Sequence, residues 1–237
     1  MKKIVIILIL IVRAVLPSVA LSPLDRMPNR LYVDDKRWTM GFSVGTHVQN
    51  IKFTHNGFIA ADGERWFMEQ PSYSPGFCVN VHGTLRLNEY FSLRVSPGMY
   101  FGNRDITMRE YESGTTVRQN LKSAYAVLPV DVKFASQRTG NMRPYLTAGI
   151  MPTCDVTKKQ SDYLKLKSAE LFATVGVGCD FYLPYFKLIP ELKFCFGLTD
   201  ALQHDRGDLA EEPDRLKFTQ SLKKAVSQMV VLTFYFE

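Results

Sequence analysis

Past residue 20, nothing in this chain approaches the run of about 18 apolar residues that a membrane-crossing helix needs. A helical span beyond the N-terminus is excluded. Cysteine is scarce: the 4 present are Cys78, Cys154, Cys179 and Cys195, without a C-x-x-C pair and without the Cys/His spacing of a zinc site. They read as small apolar residues within strands, Cys179 and Cys195 on opposite faces, although four cysteines in an exported chain could also form two disulfides. No basic run exceeds two residues, so a sequence pI near 9.1 does not indicate nucleic acid as a partner.

The N-terminus has a clear layout. Met1-Lys2-Lys3 precede an uncharged run from Ile4 to Val12, followed by Arg13 and the small-residue pattern Ser18-Val19-Ala20. That is the order of a secretory signal peptide cleaved after Ala20. The apolar run is too short, and too broken by Arg13 and Pro17, to span roughly 30 Å of hydrocarbon. The expected organisation is a signal peptide over 1–20, a periplasmic N-terminal segment over 21–37 and one domain over 38–237. Losing Lys2, Lys3 and Arg13 from the 29 basic residues leaves 26 against 23 acidic ones, a net charge of +3.

From Trp38 onward the hydrophobicity alternates. Trp38, Met40, Phe42 and Val44 are separated by Thr39, Gly41 and Ser43, and His47 and Gln49 continue the second face. Period two marks a strand with one apolar face. Similar runs cover 77–87, 91–101, 128–134, 146–150, 171–183, 186–198 and 230–236. The connections alternate between long, polar segments (54–75, 102–122 and 199–226) and tight links such as Asn88-Glu89 and Pro184-Tyr185, the habit of outer-membrane barrels. Aromatics near strand ends fit an interfacial girdle: Trp38, Tyr90, Phe91, Phe101, Phe181, Tyr182, Tyr185, Phe186, Phe234, Tyr235 and Phe236. The expected fold is all-β, an antiparallel up-and-down transmembrane β-barrel of about eight strands in the cell outer membrane, its termini in the periplasm. Pro97, Pro129 and Pro190 fall inside strands, where bulges would accommodate them.

If the apolar face meets lipid, the opposite face carries Arg86, Arg94, Asp131, Lys133, Glu170, Asp180, Glu191 and Lys193. A barrel of this size is filled by side chains, so these charges must be paired or hydrated, and a structural plug is favoured over a transport path. Catalytic signals are thin. The histidines are His47, His55, His82 and His204; His47 and Ser43 share a face but lie roughly 13 Å apart by strand rise, too far for a base and its nucleophile.

Three segments resemble a known family: Leu128-Pro129-Val130-Asp131-Val132-Lys133-Phe134, then Arg143-Pro144-Tyr145-Leu146-Thr147-Ala148-Gly149, and above all the strand-turn-strand unit from Gly176 to Leu198 with its Tyr182-Leu183-Pro184-Tyr185-Phe186 turn and Pro190-Glu191-Leu192-Lys193-Phe194 strand. They are similar to the PorT family of outer-membrane barrels from the Bacteroidetes, required for the type IX secretion system and linked to gliding motility in some relatives. The likeness runs from about Trp38 to the end of the chain. It implies a non-enzymatic component of protein transport that assists export or assembly of C-terminally tagged cargo. No cofactor, catalytic residue or metal ligand follows from it. The implied partners are outer-membrane lipid and other secretion-system proteins or secreted cargo. The competing expectations are a small structural or binding barrel unrelated to secretion and an outer-membrane lipid-modifying enzyme.

Overall fold

The alternating runs fold as strands because only a closed ladder satisfies every backbone N–H and C=O where water is absent. The structure, a computed structural model, describes residues 29–30, 32–55, 66–68, 75–110, 116–157, 167–203 and 222–237; the expected signal peptide lies outside the described residues. The strands are β1 (Trp38–His55), β2 (Trp66–Met68), β3 (Pro75–Arg86), β4 (Phe91–Val95), β5 (Gly98–Glu110), β6 (Thr116–Val127), β7 (Val130–Ala135), β8 (Met142–Asp155), β9 (Ala169–Tyr182), β10 (Lys187–Gly197) and β11 (Leu222–Phe236).

Every pairing is antiparallel, and the hydrogen bonds close a ring through β1, β3, β4, β7, β8, β9, β10, β11 and back to β1. β5 extends β4 and β6 leads into β7, so each of these pairs makes one long stave of an eight-stranded barrel. We call the end with the tight links 87–90, 136–141 and 183–186 the turn end, and the other the loop end. β1 begins and β11 ends at the turn end.

The prolines differ from expectation. Pro97 and Pro129 sit at the breaks between β4 and β5 and between β6 and β7, yet the register is the same on both sides: Gly83 faces Val95 and Asn80 faces Gly98, while Phe91 faces Phe134 and Gly98 faces Val127. No bulge is needed, because the proline carbonyls still accept: Val81 N–H donates to Pro97 O and Ser96 N–H to Pro129 O, each at 3.0 Å. At Pro190 the β9 ladder skips two residues, again in constant register.

The strands also outrun the alternation. β5 continues to Glu110, β6 starts at Thr116 and β11 starts at Leu222, so much of 102–122 and the end of 199–226 is strand rather than loop. The reason is physical: past the apolar belt the outward face turns polar and the period-two signal fades, even where inward residues such as Leu222 and Ala225 stay buried. Asn103, Lys224 and Gln228 are already exposed polar residues at this level. Between the ends, an outward apolar belt includes Met40, Phe42, Val79, Val81, Phe194 and Phe234. Aromatics gird its turn end, with Phe42 and Phe236 stacked at 5.1 Å, Phe91 against Phe134 at 5.1 Å and Phe186 against Phe236 at 5.9 Å. Tyr182 and Tyr235 do not belong to that girdle; both are buried inside the barrel.

Candidate functional site: a buried charge network

The inward residues of neighbouring strands meet in two linked clusters. In the deeper one, Glu191 of β10 is the hub. Its Oε2 accepts from the Arg94 guanidinium of β4 at 2.7 Å and from the Tyr145 hydroxyl of β8 at 2.7 Å; its Oε1 lies 3.2 Å from Lys193 Nζ and accepts from the Tyr235 hydroxyl at 3.3 Å. Lys193 also donates to Asp131 Oδ2 of β7, whose Oδ1 accepts from the Thr174 hydroxyl of β9 at 2.8 Å. The Arg94 guanidinium lies 4.4 Å from the centre of the Tyr235 ring, a cation–π contact.

Nearer the turn end, Lys133 of β7 donates to both Asp180 oxygens of β9, at 2.7 and 2.8 Å. Lys187 bridges Asp180 at 3.2 Å and Glu237 at 3.0 Å, and the other Glu237 oxygen is 3.2 Å from His82 Nε2 of β3. Glu237 lies just past the last strand; burial disfavours its charge, but the His82 hydrogen bond and Lys187 hold its carboxyl well below the usual carboxylate range. Lys133 Nζ, 3.9 Å from the centre of the Tyr145 ring, joins the two clusters.

Four cations (Arg94, Lys133, Lys187 and Lys193) therefore meet four carboxylates (Asp131, Asp180, Glu191 and Glu237). Each charge desolvated here has an opposite charge at hydrogen-bond distance, the condition under which buried ions are tolerated. With His82, Tyr145, Thr174 and Tyr235, the network takes side chains from β3, β4 and β7 to β11, every stave but β1, and so ties the barrel across its interior.

Six of the eight sequence-derived positions belong to it: Arg94, Asp131, Lys133, Asp180, Glu191 and Lys193. Two do not. Arg86 is half-buried at the turn-end rim, where its Nε donates to Asn88 O at 3.2 Å. Glu170 is buried but belongs to the loop-end half of β9, opposite Thr153. Lys187 and Glu237 were missed, although alternation through Phe186–Leu188 and past Phe236 turns both inward. All four cysteines are free: Cys78 and Cys195 are buried, Cys179 is half-buried and Cys154 is exposed.

Above the charges, Cys78, Tyr100, Tyr125, Val127, Met151, Phe172, Cys195, Met229 and Val231 form a contiguous apolar layer. At this level the interior is filled by buried side chains, with His47 stacked on Tyr100 at 5.2 Å. Ser43, the inward serine of β1, is not presented as a nucleophile. The run Gly41-Phe42-Ser43-Val44-Gly45 does carry a G-x-S-x-G pattern, absent from the catalytic signals weighed above, but it lies in the middle of β1 and not on the strand-to-helix turn that exposes such a serine. Ser43 is fully buried and accepts from Asn80 at 3.2 Å. The two glycines serve packing: a Cβ at Gly41 would fall 2.7 Å from the His82 ring, and one at Gly45 would fall 3.0 Å from Cys78 Sγ. Among the described residues no three His, Cys, Asp or Glu side chains are arranged to hold a metal.

Residues 25–203 match the family described as outer membrane protein beta-barrel domain. The chain belongs to that family. Its place is thus the outer membrane, and the apolar belt is the surface that meets lipid. Among solved structures it is similar to Pseudomonas aeruginosa OprG (11% identity, 83% of this chain and 94% of that one, TM-score 0.44) and to the N-terminal β-barrel domain of Pseudomonas aeruginosa OprF (12%, 83% and 99%, TM-score 0.38). Neisserial surface protein A is a third (11%, 84% and 98%, TM-score 0.41). No curated protein matches the chain in sequence.

Proposed function

We propose that this outer-membrane barrel is a non-enzymatic component of type IX protein secretion that acts as an anchored binding platform and not as a conduit. The observation that carries the reading is a coincidence of position: the unit 176–198, on which the resemblance to the PorT family chiefly rests, also supplies Asp180, Lys187, Glu191 and Lys193, half of the charged network. The packed layer of side chains above the network argues against cargo passing through the barrel, so assistance to export acts through its ends. Deleting the gene and profiling both the medium and the periplasm tests this. C-terminally tagged cargo is expected to accumulate unprocessed in the periplasm with the outer membrane intact. Normal secretion with detergent sensitivity would instead support a purely structural barrel, in which the cross-barrel ion network serves only as a fastening, and altered lipid acylation would support an enzyme.

In the orientation we propose, the loop end faces outward and the turn end the periplasm, because long connections of such barrels lie outside the cell. Epitope tags after residues 112 and 208 should be reached by antibody on intact cells, and a tag at Asn88 only after the outer membrane is opened. The reverse pattern would invert the barrel.

A further inference from the structure

Residues 29–30 and 32–37 lie across the mouth of the barrel at the turn end, where Asp34 enters a set of groups that the barrel holds in place without it. Arg138 donates from Nε to Gly140 O at 2.8 Å, and its guanidinium lies 3.7 Å from the centre of the Tyr182 ring. Gly140, at φ 60°, supplies the left-handed residue that closes this link. Arg143 donates to Ser136 O at 2.8 Å and to Glu89 O. Between these cations the Tyr182 hydroxyl donates to Asp34 at 2.7 Å, Arg143 approaches Asp34 Oδ1 and Arg138 approaches Oδ2, each at 3.7 Å. One guanidinium per oxygen and a shared phenol make a carboxylate receptor.

The ligand is loosely tethered. Tyr32 is 79% exposed. Val33 is half-buried against the pocket, and the hydrogen bonds of the segment to the barrel are Asn29 with Asn141 and with Tyr182 O, Arg30 with Glu237 O, Arg138 with Asn29 O and Arg86 N–H with Arg37 O. Partly exposed ion pairs at this distance hold little, and a unit with few buried apolar contacts opens readily. Beneath Asp34 is a pocket of about 40 Å³, lined by five basic and three acidic residues. When the segment lifts it removes Asp34 and Lys36, leaving four basic residues against Asp180 and Glu237. The vacated mouth is cationic and shaped for a small anionic group.

We infer that the turn-end mouth is a carboxylate-recognition site, filled in cis by Asp34 and open, once residues 29–37 lift, to an acidic side chain of a partner peptide. This goes beyond the secretion reading and does not rest on it. The probe is a fluorescent synthetic peptide of residues 28–37, titrated by anisotropy against the full chain folded in detergent micelles. Asp34→Ala in the barrel, which frees the site, is expected to tighten peptide binding at least tenfold over wild type. Asn29→Ala, which removes the side-chain hydrogen bond of the segment to Tyr182 O and leaves Arg138, Arg143 and the Tyr182 hydroxyl in place, should shift affinity in the same direction. Asp34→Ala within the peptide should abolish the gain, whereas Asp35→Ala in the peptide should preserve it, since a generic attraction to acidic peptides would treat the two alike. Adding Arg143→Ala to the freed barrel should weaken binding at least tenfold, with heat-modifiable migration on gels confirming that each barrel is folded. Equal affinity of the wild-type and Asp34→Ala barrels, or binding indifferent to the peptide's Asp34 carboxylate, overturns the inference.

Discussion

Glu191→Gln is expected to lower the unfolding free energy of the barrel by about 3 to 5 kcal/mol, the usual cost of removing one partner from a buried ion pair. The substitution is nearly isosteric, so packing barely changes; what is lost is the charge that balances Arg94 and Lys193, both within 3.2 Å of its carboxylate. The cost belongs to the cations left behind in a buried interior. Removing Arg94 and Glu191 together, as Arg94→Met with Glu191→Leu, should therefore cost clearly less than the sum of the two single changes. Urea titrations of the folded barrel in micelles, followed by heat-modifiable migration, give both numbers. A Glu191→Gln cost below about 1 kcal/mol, or strict additivity in the double variant, would mean that the hub is hydrated and not a strut. If the network only fastens the barrel, Asp131→Asn and Glu191→Gln will lower barrel abundance and secretion in parallel. A normal barrel level with blocked secretion would make these charges part of the export mechanism.

Alternation was enough to find the barrel because lipid imposes one rule on every residue of the belt. At Phe42, Val81 and Phe234 water is excluded on one side and the strand partner is fixed on the other, so each position has to be apolar. The same rule placed Arg94, Asp131 and Glu191 inside without saying which would touch, since strand register is set by turns and by pairings between distant segments that no single run encodes. Glu170 shows the limit: it has the right parity and the wrong height. Glu237 shows the converse, a residue that continues the alternation of β11 by one step and closes the rim cluster on Lys187 and His82. Where lipid ends, the rule lapses. β6 was invisible over most of its length because Arg118, Asn120 and Lys122 break the pattern that identifies Val130, Val132 and Phe134 in β7. The Asp34 receptor was hidden for another reason: its parts come from 29–37, the 136–141 link, β8 and β9, and no short motif joins them.

Phe194→Arg provides the sharpest test of which face meets lipid. Phe194 lies on β10 two residues from Leu192, the midpoint of the apolar run from Phe186 to Leu198, and its ring is directed outward into the belt. An arginine there should cost roughly 2 to 4 kcal/mol, because it has neither water nor a counter-ion near the middle of the bilayer. Tyr185→Arg, at the 92% exposed tip of the turn, should cost no more than about 1 kcal/mol, since the penalty falls toward zero at the interface. Lys193→Gln supplies the contrast from the other face. By parity alone it would be mild, but Lys193 is shared between Asp131 and Glu191, so its loss leaves two buried carboxylates short of a partner. It should destabilise the barrel as an interior defect, and adding Asp131→Asn should recover part of the loss, whereas the same addition to Phe194→Arg should worsen it. Folded yields after refolding into lipid vesicles measure all of these. Equal costs for arginine at 194 and at 185 would show that the belt is not embedded as its side chains indicate, and recovery of Phe194→Arg by an interior change would show that residue 194 faces the lumen.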